Sequence, residues 1–560
     1  MATTLASPAT AGEKRTAGMT AEERKVVVGA SLGTVFEWYD FLMFGSLSPV
    51  IAAKFFSGLS PTLGFIFALL AFSVAYAVRP LGAFFFGRIG DIVGRKYTFL
   101  VTVSGMGAAT FLIGVLPTYA TWGLAAPILL MLLRVIQGLS LGGEFGGAST
   151  YVAEHAPKGR LGYFTGWVQS CSAAGFTLSL IVIVGTRTLL GETAFQEWGW
   201  RVPFLLSVVL LVISVWIRMR LSESPIFAAM KKQGLTAKAP IKEAFSSWKN
   251  VWLMIVVMFG CVAGVSAVGA MGLIYPLLFL LQTLKVDPLT TNILAMLAIG
   301  VTIPLFPLVG WVSDRIGRKP TIIAACLLAA VSYFPVVKAL THFANPAYEA
   351  ALASAPISVT ADPKECSFVF NPTGVSKFLS SCDIVNSTLA REGVNYSKVD
   401  APANSPAQVT IGKTTIAGFD GSGLAPAELK AKQDAFTKDV RAAIRAAGYP
   451  AKADPAQVNL VMVWLLMLYM AALMPLAYGA ATAVMVELFP ARIRYTTLSV
   501  PYHIGNWVSG FLIPIVFAMV AYSGDIYFGL WYPIVWAVFS AIVVALLIPE
   551  TKNRVLQDWY

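Results

Sequence analysis

Charge is scarce in this chain: only 12% of its 560 residues are Asp, Glu, Lys or Arg, about half the share of an average soluble protein. That shortage, with 57% hydrophobic residues and a mean hydropathy of +0.71, excludes an ordinary soluble enzyme. Cysteine is scarce too. Five cysteines with no C-x-x-C pair support neither a zinc site nor a dense disulfide framework. There are three histidines, and no Walker motif, metal cluster or nucleophile-base pair, so neither ATP-driven work nor covalent chemistry on a substrate is supported. The glycine-rich run Gly138-Leu139-Ser140-Leu141-Gly142-Gly143 lacks the strand-turn-helix setting and the Lys of a phosphate loop, and reads as close helix packing. The first 24 residues contain no apolar core of a cleaved signal peptide, which leaves the first apolar segment as the insertion signal.

Long apolar runs fill most of the chain. Segments able to cross a bilayer fall near 25–53, 62–86, 97–118, 124–153, 161–188, 200–217, 251–282, 290–312, 321–342, 457–486, 495–521 and 527–548. The net charge of +12 is then the mark of basic loops on one membrane face rather than of nucleic-acid binding. With both termini in the cytoplasm, the short loops of the opposite face carry only Lys54, Arg187, Arg201 and Lys285. The linker between spans six and seven, by contrast, carries Arg218, Arg220, Lys231, Lys232, Lys238, Lys242 and Lys249, and reads as solvated.

The expected fold is an all-α membrane protein with twelve transmembrane helices in two six-helix halves and a soluble extracytoplasmic insertion between helices 9 and 10. The divisions are a cytoplasmic tail at 1–24, an N-terminal half at 25–217, a cytoplasmic linker at 218–250, a C-terminal half at 251–342 and 457–548, and a second tail at 549–560. The insertion, 343–456, departs in composition, being rich in Ala, Pro, Ser, Asp and Lys. Within it Ala425 to Gly448 reads as an amphipathic helix with Leu429, Phe436, Val440 and Ile444 on one side. Cys366 and Cys382 also lie there and form a candidate disulfide in an oxidising compartment, whereas Cys171, Cys261 and Cys326 fall within spans and suit packing. Sequons stand at Asn386 and Asn395.

One motif occurs twice. Gly87-Arg88-Ile89-Gly90-Asp91-Ile92-Val93-Gly94-Arg95-Lys96 follows span two, and Gly310-Trp311-Val312-Ser313-Asp314-Arg315-Ile316-Gly317-Arg318-Lys319 follows span eight. The spacing G-x3-D-x2-G-R-K is shared, which implies two similar halves that rock about a midplane site, with these residues as conformational latches. At these residues the chain resembles the major facilitator superfamily. Its loop motif has Leu where Ile89 and Val312 stand, and Arg where Ile92 stands. Arg134-Val135-Ile136-Gln137-Gly138 and Pro549-Glu550-Thr551 are similar to further superfamily motifs.

Gly29-Ala30-Ser31-Leu32-Gly33-Thr34-Val35-Phe36-Glu37-Trp38-Tyr39-Asp40-Phe41 resembles the metabolite:proton symporters, which include carriers of 2-oxoglutarate, citrate, shikimate and proline/betaine. So do Arg79-Pro80-Leu81-Gly82, Gly142-Gly143-Glu144-Phe145-Gly146-Gly147 and Gly199-Trp200-Arg201-Val202-Pro203-Phe204. The long loop is reminiscent of haloacid and monocarboxylate permeases. The resemblance implies a proton-driven carrier in a bacterial-type inner membrane, with no cofactor and no enzymatic activity.

Charges within spans narrow the site, because each must face the bundle interior, be paired or be functional. Glu37 and Asp40 lie one turn apart, and two carboxylates held close in a poorly hydrated place suit reversible proton loading. They are the proton candidates, with Glu144 as a third. Arg134 is the first candidate for an organic anion, since guanidinium can grip a carboxylate with two hydrogen bonds. Gln137, Tyr39 and Arg79 complete the expected substrate set, Arg79 with more of a gating character. The C-terminal half shows no clearly buried charge: Lys338 and Glu487 fall near span ends, while Tyr275, Tyr478, Tyr502, His503 and Asn506 offer neutral hydrogen bonds. The reading is a symporter importing a small organic acid, first of all an acetate- or haloacid-like monocarboxylate. Its partners are that anion, the proton and membrane lipid, with no nucleic acid, and a monomer suffices. The alternatives are a dicarboxylate, tricarboxylate, shikimate or proline/betaine symporter, then an exporter or antiporter, or an osmosensor on the same fold.

Overall fold

The computed structural model describes residues 19–58, 61–219, 223–369, 378–552 and 554. Among them, twelve helices are long and apolar enough to cross a membrane: Ala21–Ser46, Leu70–Ile92, Lys96–Val115, Ala125–His155, Leu161–Gly199, Arg201–Met219, Trp248–Leu273, Pro288–Ile316, Arg318–Ala344, Leu460–Leu488, Arg494–Ser523 and Phe528–Leu547. They are called spans one to twelve below. Chemistry at the ends and breaks explains the departures from the sequence expectation. A Thr20/Glu23 capping box starts span one. That span stops at Ser46, and Pro49 lies in the first turn of a separate short helix, Ser48–Phe55. Span five outruns its expected end and bends at Gly191, whose φ of 78° suits glycine. Span seven contains a π-helical turn at Met258–Ala263, span eight breaks before Leu305, and span eleven is interrupted between Gly505 and Leu512.

Packing is partly symmetric between the halves. Spans one and five, two and four, and three and six pair in the first half; eight with ten and nine with twelve repeat two of these pairings in the second, where ten also packs on seven and nine. The halves meet where span two lies on span eleven and span five on span eight. Between spans two and four a Cβ at Gly138 or Gly142 would run into the Ala75 or Arg79 carbonyl. The glycine-rich run is therefore the surface on which span two seats directly.

The linker between the halves is not simply a solvated loop. Its helices Pro225–Lys232 and Pro240–Ser246 bury Phe227, Met230 and Ala244 against Ala491 and Ile493 of the span ten to eleven loop. Glu243 pairs there with Arg492 at 3.1 Å. Arg218, expected among the linker's basic residues, is instead buried in the last turn of span six.

After span nine the chain builds a folded subdomain at the end of the bundle opposite the two repeated loops. The membrane part is all-α as expected, and the subdomain adds a four-stranded sheet. β1 (Ile357–Ala361), β2 (Ser397–Asp400), β3 (Gln408–Ile411) and β4 (Thr414–Ala417) lie in the order β2-β1-β3-β4, with β1 and β2 parallel. Ile357, Val359, Val409 and Ile411 bury the apolar positions of alternating strands. The expected amphipathic helix is Pro426–Ala446, with Phe436, Val440 and Ile444 buried. Cys366 and Cys382 are disulfide-bonded, tying the turn at Pro363–Glu365 to the helix Ser381–Glu392, while Cys171, Cys261 and Cys326 are free and buried. Asn386 is buried with its amide on Cys382, so that sequon is not presented for glycosylation, whereas Asn395 is half-buried and accepts from the Ile526 amide.

The subdomain is fastened mainly to the second half. Tyr396 donates from its amide to Gly524 O at 2.8 Å and from its hydroxyl to Ala521 O, and Ala453 N donates to Lys285 O at 3.1 Å. It also reaches the first half: Lys430 Nζ donates to Ser57 O, and Val369 packs on Leu70 at the start of span two.

Candidate functional site

A cleft of about 540 Å³ of empty space opens between the halves. Trp38, Phe72, Tyr76 and Gln169 line it from the first half, and Tyr478, Tyr502 and Asn506 from the second. Gln169 donates to Thr482 across the seam. Behind the aromatic wall lies Arg79, whose guanidinium carbon is 3.8 Å from the Tyr76 ring centre and 5.8 Å from that of Trp38. His503 is buried against Tyr502, with ring centres 5.1 Å apart. A wall of aromatic faces around a guanidinium suits a small organic molecule carrying a carboxylate.

Beside the cleft runs a buried polar chain through four helices. Asp40 of span one lies beside the Thr110 hydroxyl of span three. Thr110 accepts from Gln137 Nε2 at 2.6 Å, and Gln137 Oε1 accepts from Arg134 Nη1 at 2.6 Å. Arg134 Nε continues to the Ala71 carbonyl of span two at 3.1 Å. Asp40 Oδ1 is buried with no hydrogen-bond partner among the described residues. The R-x-x-Q spacing thus places Arg134 and Gln137 one turn apart, where they bond to each other. Arg134 also packs over the Phe44 ring at 4.2 Å.

These placements rearrange the expected roles. Arg134 and Gln137 do not line the cleft, because both are engaged within the first half; Arg79, expected mainly as a gate, is the guanidinium nearest the cleft's rings. Tyr39 faces away as well, donating to Pro203 O of span six at 2.7 Å. Glu144, expected among the proton sites, is held by Arg218 through both carboxylate oxygens, with Thr34 Oγ1 donating at 3.1 Å. Both carboxylate oxygens are thereby engaged by one buried guanidinium. The side chain of Glu37 lies outside the described residues.

The C-terminal half contains buried charge after all. Glu487 is 4% exposed and pairs with Arg318 at 3.1 Å, and Arg494 is fully buried against Glu154 at 3.3 Å. The long apolar runs around Glu487 and Arg494 conceal these pairs from a reading of one segment at a time.

The repeated loops tie the two halves together. Asp91 Oδ2 accepts from the Thr496 amide at 3.1 Å and hydroxyl at 2.7 Å. Asp314 accepts from the amides of Gly162 at 2.8 Å and Tyr163 at 2.9 Å. Each carboxylate therefore sits on the first turn of a helix belonging to the opposite half, where free N–H groups and the helix dipole favour an anion. Arg318 also pairs with Asp314 at 2.7 Å. Gly94 and Gly317 have φ of 134° and 116°, values that L side chains rarely adopt, as the tight turn before each Arg-Lys pair requires. Lys96 and Lys319 cap carbonyls at the ends of spans six and twelve, Met219 O and Ala545 O. Gly87 and Gly310 allow close approach to Thr496 and Gly162. The side chain of Arg95 lies outside the described residues.

Two six-helix halves, a cleft at their seam and paired latches at one end define the fold class of a major facilitator. The family described as "Sugar (and other) transporter" matches residues 26–252 and 440–559. The chain belongs to that family of the major facilitator superfamily. The Salmonella typhimurium proline/betaine transporter is 38% identical over 312 residues, covering 54% of this chain and 61% of its own length. The Escherichia coli K12 shikimate transporter is 35% identical over 57% of this chain and 72% of its own, and the alpha-ketoglutarate permease of the same strain 34% over 61% and 77%. The chain thus spans under two thirds of the proline/betaine transporter's length. Among solved structures, the proton:xylose symporter XylE bound to 6-bromo-6-deoxy-D-glucose aligns with a TM-score of 0.60 at 14% identity, covering 95% of this chain and 97% of that one, a likeness of fold.

Proposed function

We propose that this protein is a proton-coupled symporter that imports a small organic acid by alternating access, with an acetate- or haloacid-like monocarboxylate as the first substrate class. The observation that carries the proposal is the adjacency of two features: a cleft at the seam with Arg79 behind its rings, and the buried chain from Asp40 to Arg134 beside it. One supplies a cation for a carboxylate and the other a carboxyl able to take up and lose a proton. The names of the alpha-ketoglutarate and shikimate relatives support an acid as cargo. In this reading the latches mark the cytoplasmic end, both termini are cytoplasmic, the insertion faces outward from a bacterial inner membrane, and a single chain works alone.

A second reading has its own support. Trp38, Tyr76, Tyr478 and Tyr502 bring four aromatic rings to one cleft, a composition that suits the quaternary ammonium of a betaine, and the proline/betaine relatives agree with it. Uptake of labelled acetate, chloroacetate, 2-oxoglutarate, shikimate, proline and betaine, with and without a protonophore, decides between them. Protonophore-sensitive accumulation of an acid supports the first reading, and of betaine or proline the second. Accumulation of none by correctly inserted protein rejects both.

A further inference from the structure

Outside the cleft, the insertion encloses a cavity of about 690 Å³ whose wall is polar and charged. Lys285, from the loop between spans seven and eight, forms one side, and Arg441 and Arg445 of the helix Pro426–Ala446 the other. Glu392 is the carboxylate among these lining residues, and Arg441 holds it with two hydrogen bonds at 2.6 and 3.2 Å. Lys285 Nζ donates only to the Arg391 carbonyl, at 3.4 Å, and Arg445 has no carboxylate partner among the described residues. The cavity therefore faces three cations and one already occupied anion.

Its floor contains an unused donor. Tyr348 is 2% exposed and its hydroxyl has no hydrogen-bond partner among the described residues, whereas neighbouring Tyr449 donates to Ala355 O at 3.2 Å. A buried hydroxyl left unbonded costs free energy that an acceptor in the cavity would recover. Lys285 adopts φ 55°, a left-handed conformation uncommon outside glycine and one found at sites where the surroundings impose a shape. Burial pulls its ammonium below the ordinary value while Glu392 opposes the change, so a bound anion would restore charge there.

We propose that this cavity is a second binding site, for a small oxyanion, separate from the cleft between the halves: Lys285, Arg445 and the Tyr348 hydroxyl donate to the anion, and Arg441 stays with Glu392. The balance of charge disfavours a cation and favours an oxyanion such as a carboxylate or phosphate. Its wall continues from Glu392 and Val394 into Asn395 and Tyr396, which clasp the turn between spans eleven and twelve. An anion bound here would stiffen the joint by which the insertion is mounted on the second half. The transported acid and free inorganic phosphate are the two sources of such a group.

The test is binding to the purified full-length chain in detergent, independent of transport. Acetate is titrated with saturation-transfer proton NMR, and phosphate with phosphorus line broadening. Saturable binding of either probe is expected to persist in Arg79→Gln, which disables the cleft. Half-saturation is expected to rise about tenfold in Lys285→Gln/Arg445→Gln, the loss of two charge-assisted donors. Tyr348→Phe, which keeps the ring, should weaken binding in the same direction and serves if the double variant does not fold. Acetate binding alone points to the transported acid as the source, and tighter phosphate binding to an inorganic anion. The proposal is overturned if neither probe saturates, if Arg79→Gln abolishes binding, or if binding persists there and the variants at Lys285, Arg445 and Tyr348 leave it unmoved.

Discussion

Asp40 and Glu144 are both buried carboxylates of the first half, yet their neighbours differ. Asp40 faces a hydroxyl, and one of its oxygens is unbonded among the described residues; Glu144 is clamped by Arg218. Asp40→Asn is therefore expected to abolish protonophore-sensitive accumulation while leaving exchange of substrate across the membrane, measured by counterflow in proteoliposomes. Equal loss of both would assign Asp40 to substrate binding or folding. Glu144→Gln should instead lower stability, by about 3–5 kcal/mol if Arg218 is left as an uncompensated buried charge. Thermal unfolding in detergent measures this, and Glu144→Gln/Arg218→Met should recover much of the loss. Sequence alone could name both carboxylates as buried but could not separate them. The partner of Glu144 lies 74 positions away, in a stretch that reads as the start of a basic linker.

At the level of elements, the repeat disclosed the paired loops because a loop motif is contiguous, while its partners are not. Thr496, Gly162 and Tyr163 receive Asp91 and Asp314 only because spans eleven and five begin beside the opposite half. Replacing Asp314 with Asn removes the charge that faces the first turn of span five, an interaction worth about 0.3–2 kcal/mol. Cysteines placed at the latch end are then expected to react faster with a soluble maleimide; unchanged labelling would mean that the latch does not hold this end closed. The twelve spans were legible from apolar length, and the insertion from its composition. Its sheet was not legible, since four strands of four or five residues give too short a pattern to distinguish from loop.

The joint beneath the insertion has its own pH dependence. Burial works to raise the Glu392 carboxyl, but the hydrogen bonds from Arg441 and the charges of Lys285, Arg441 and Arg391 outweigh it and hold the group below its ordinary 4.5. A carboxyl lowered in the folded state contributes stability that is fully present above 4.5 and is lost as pH falls through the lower folded value. Proteolysis within the insertion should therefore accelerate below about pH 4.5, and Glu392→Gln should remove that acid-dependent component. An unchanged acid profile in the variant would assign the transition to another group.

For the whole molecule, the proposed alternating access requires the halves to move against each other, and the insertion touches both. The clasp at Tyr396 mounts it on the second half, while Lys430 on Ser57 and Val369 on Leu70 touch the first. A Ser57→Cys/Lys430→Cys pair, bridged by a short bis-methanethiosulfonate reagent through disulfides at both ends, is expected to arrest uptake and to release it on mild reduction, with the parent chain as control. Uptake that continues through the cross-link would show that this contact does not part during transport. The placement also explains what the sequence could not supply: composition isolates an inserted unit, whereas its footing on both halves depends on contacts between residues hundreds of positions apart.

The contact between Lys430 and Ser57 makes the working cycle visible from one face. If it parts whenever the halves rock, the epitope spanning it exists in only part of each turnover. An antibody fragment raised against the closed junction would then act as a conformational sensor, its off-rate reporting how often the carrier changes state and its saturation stopping the carrier without reaching the cleft.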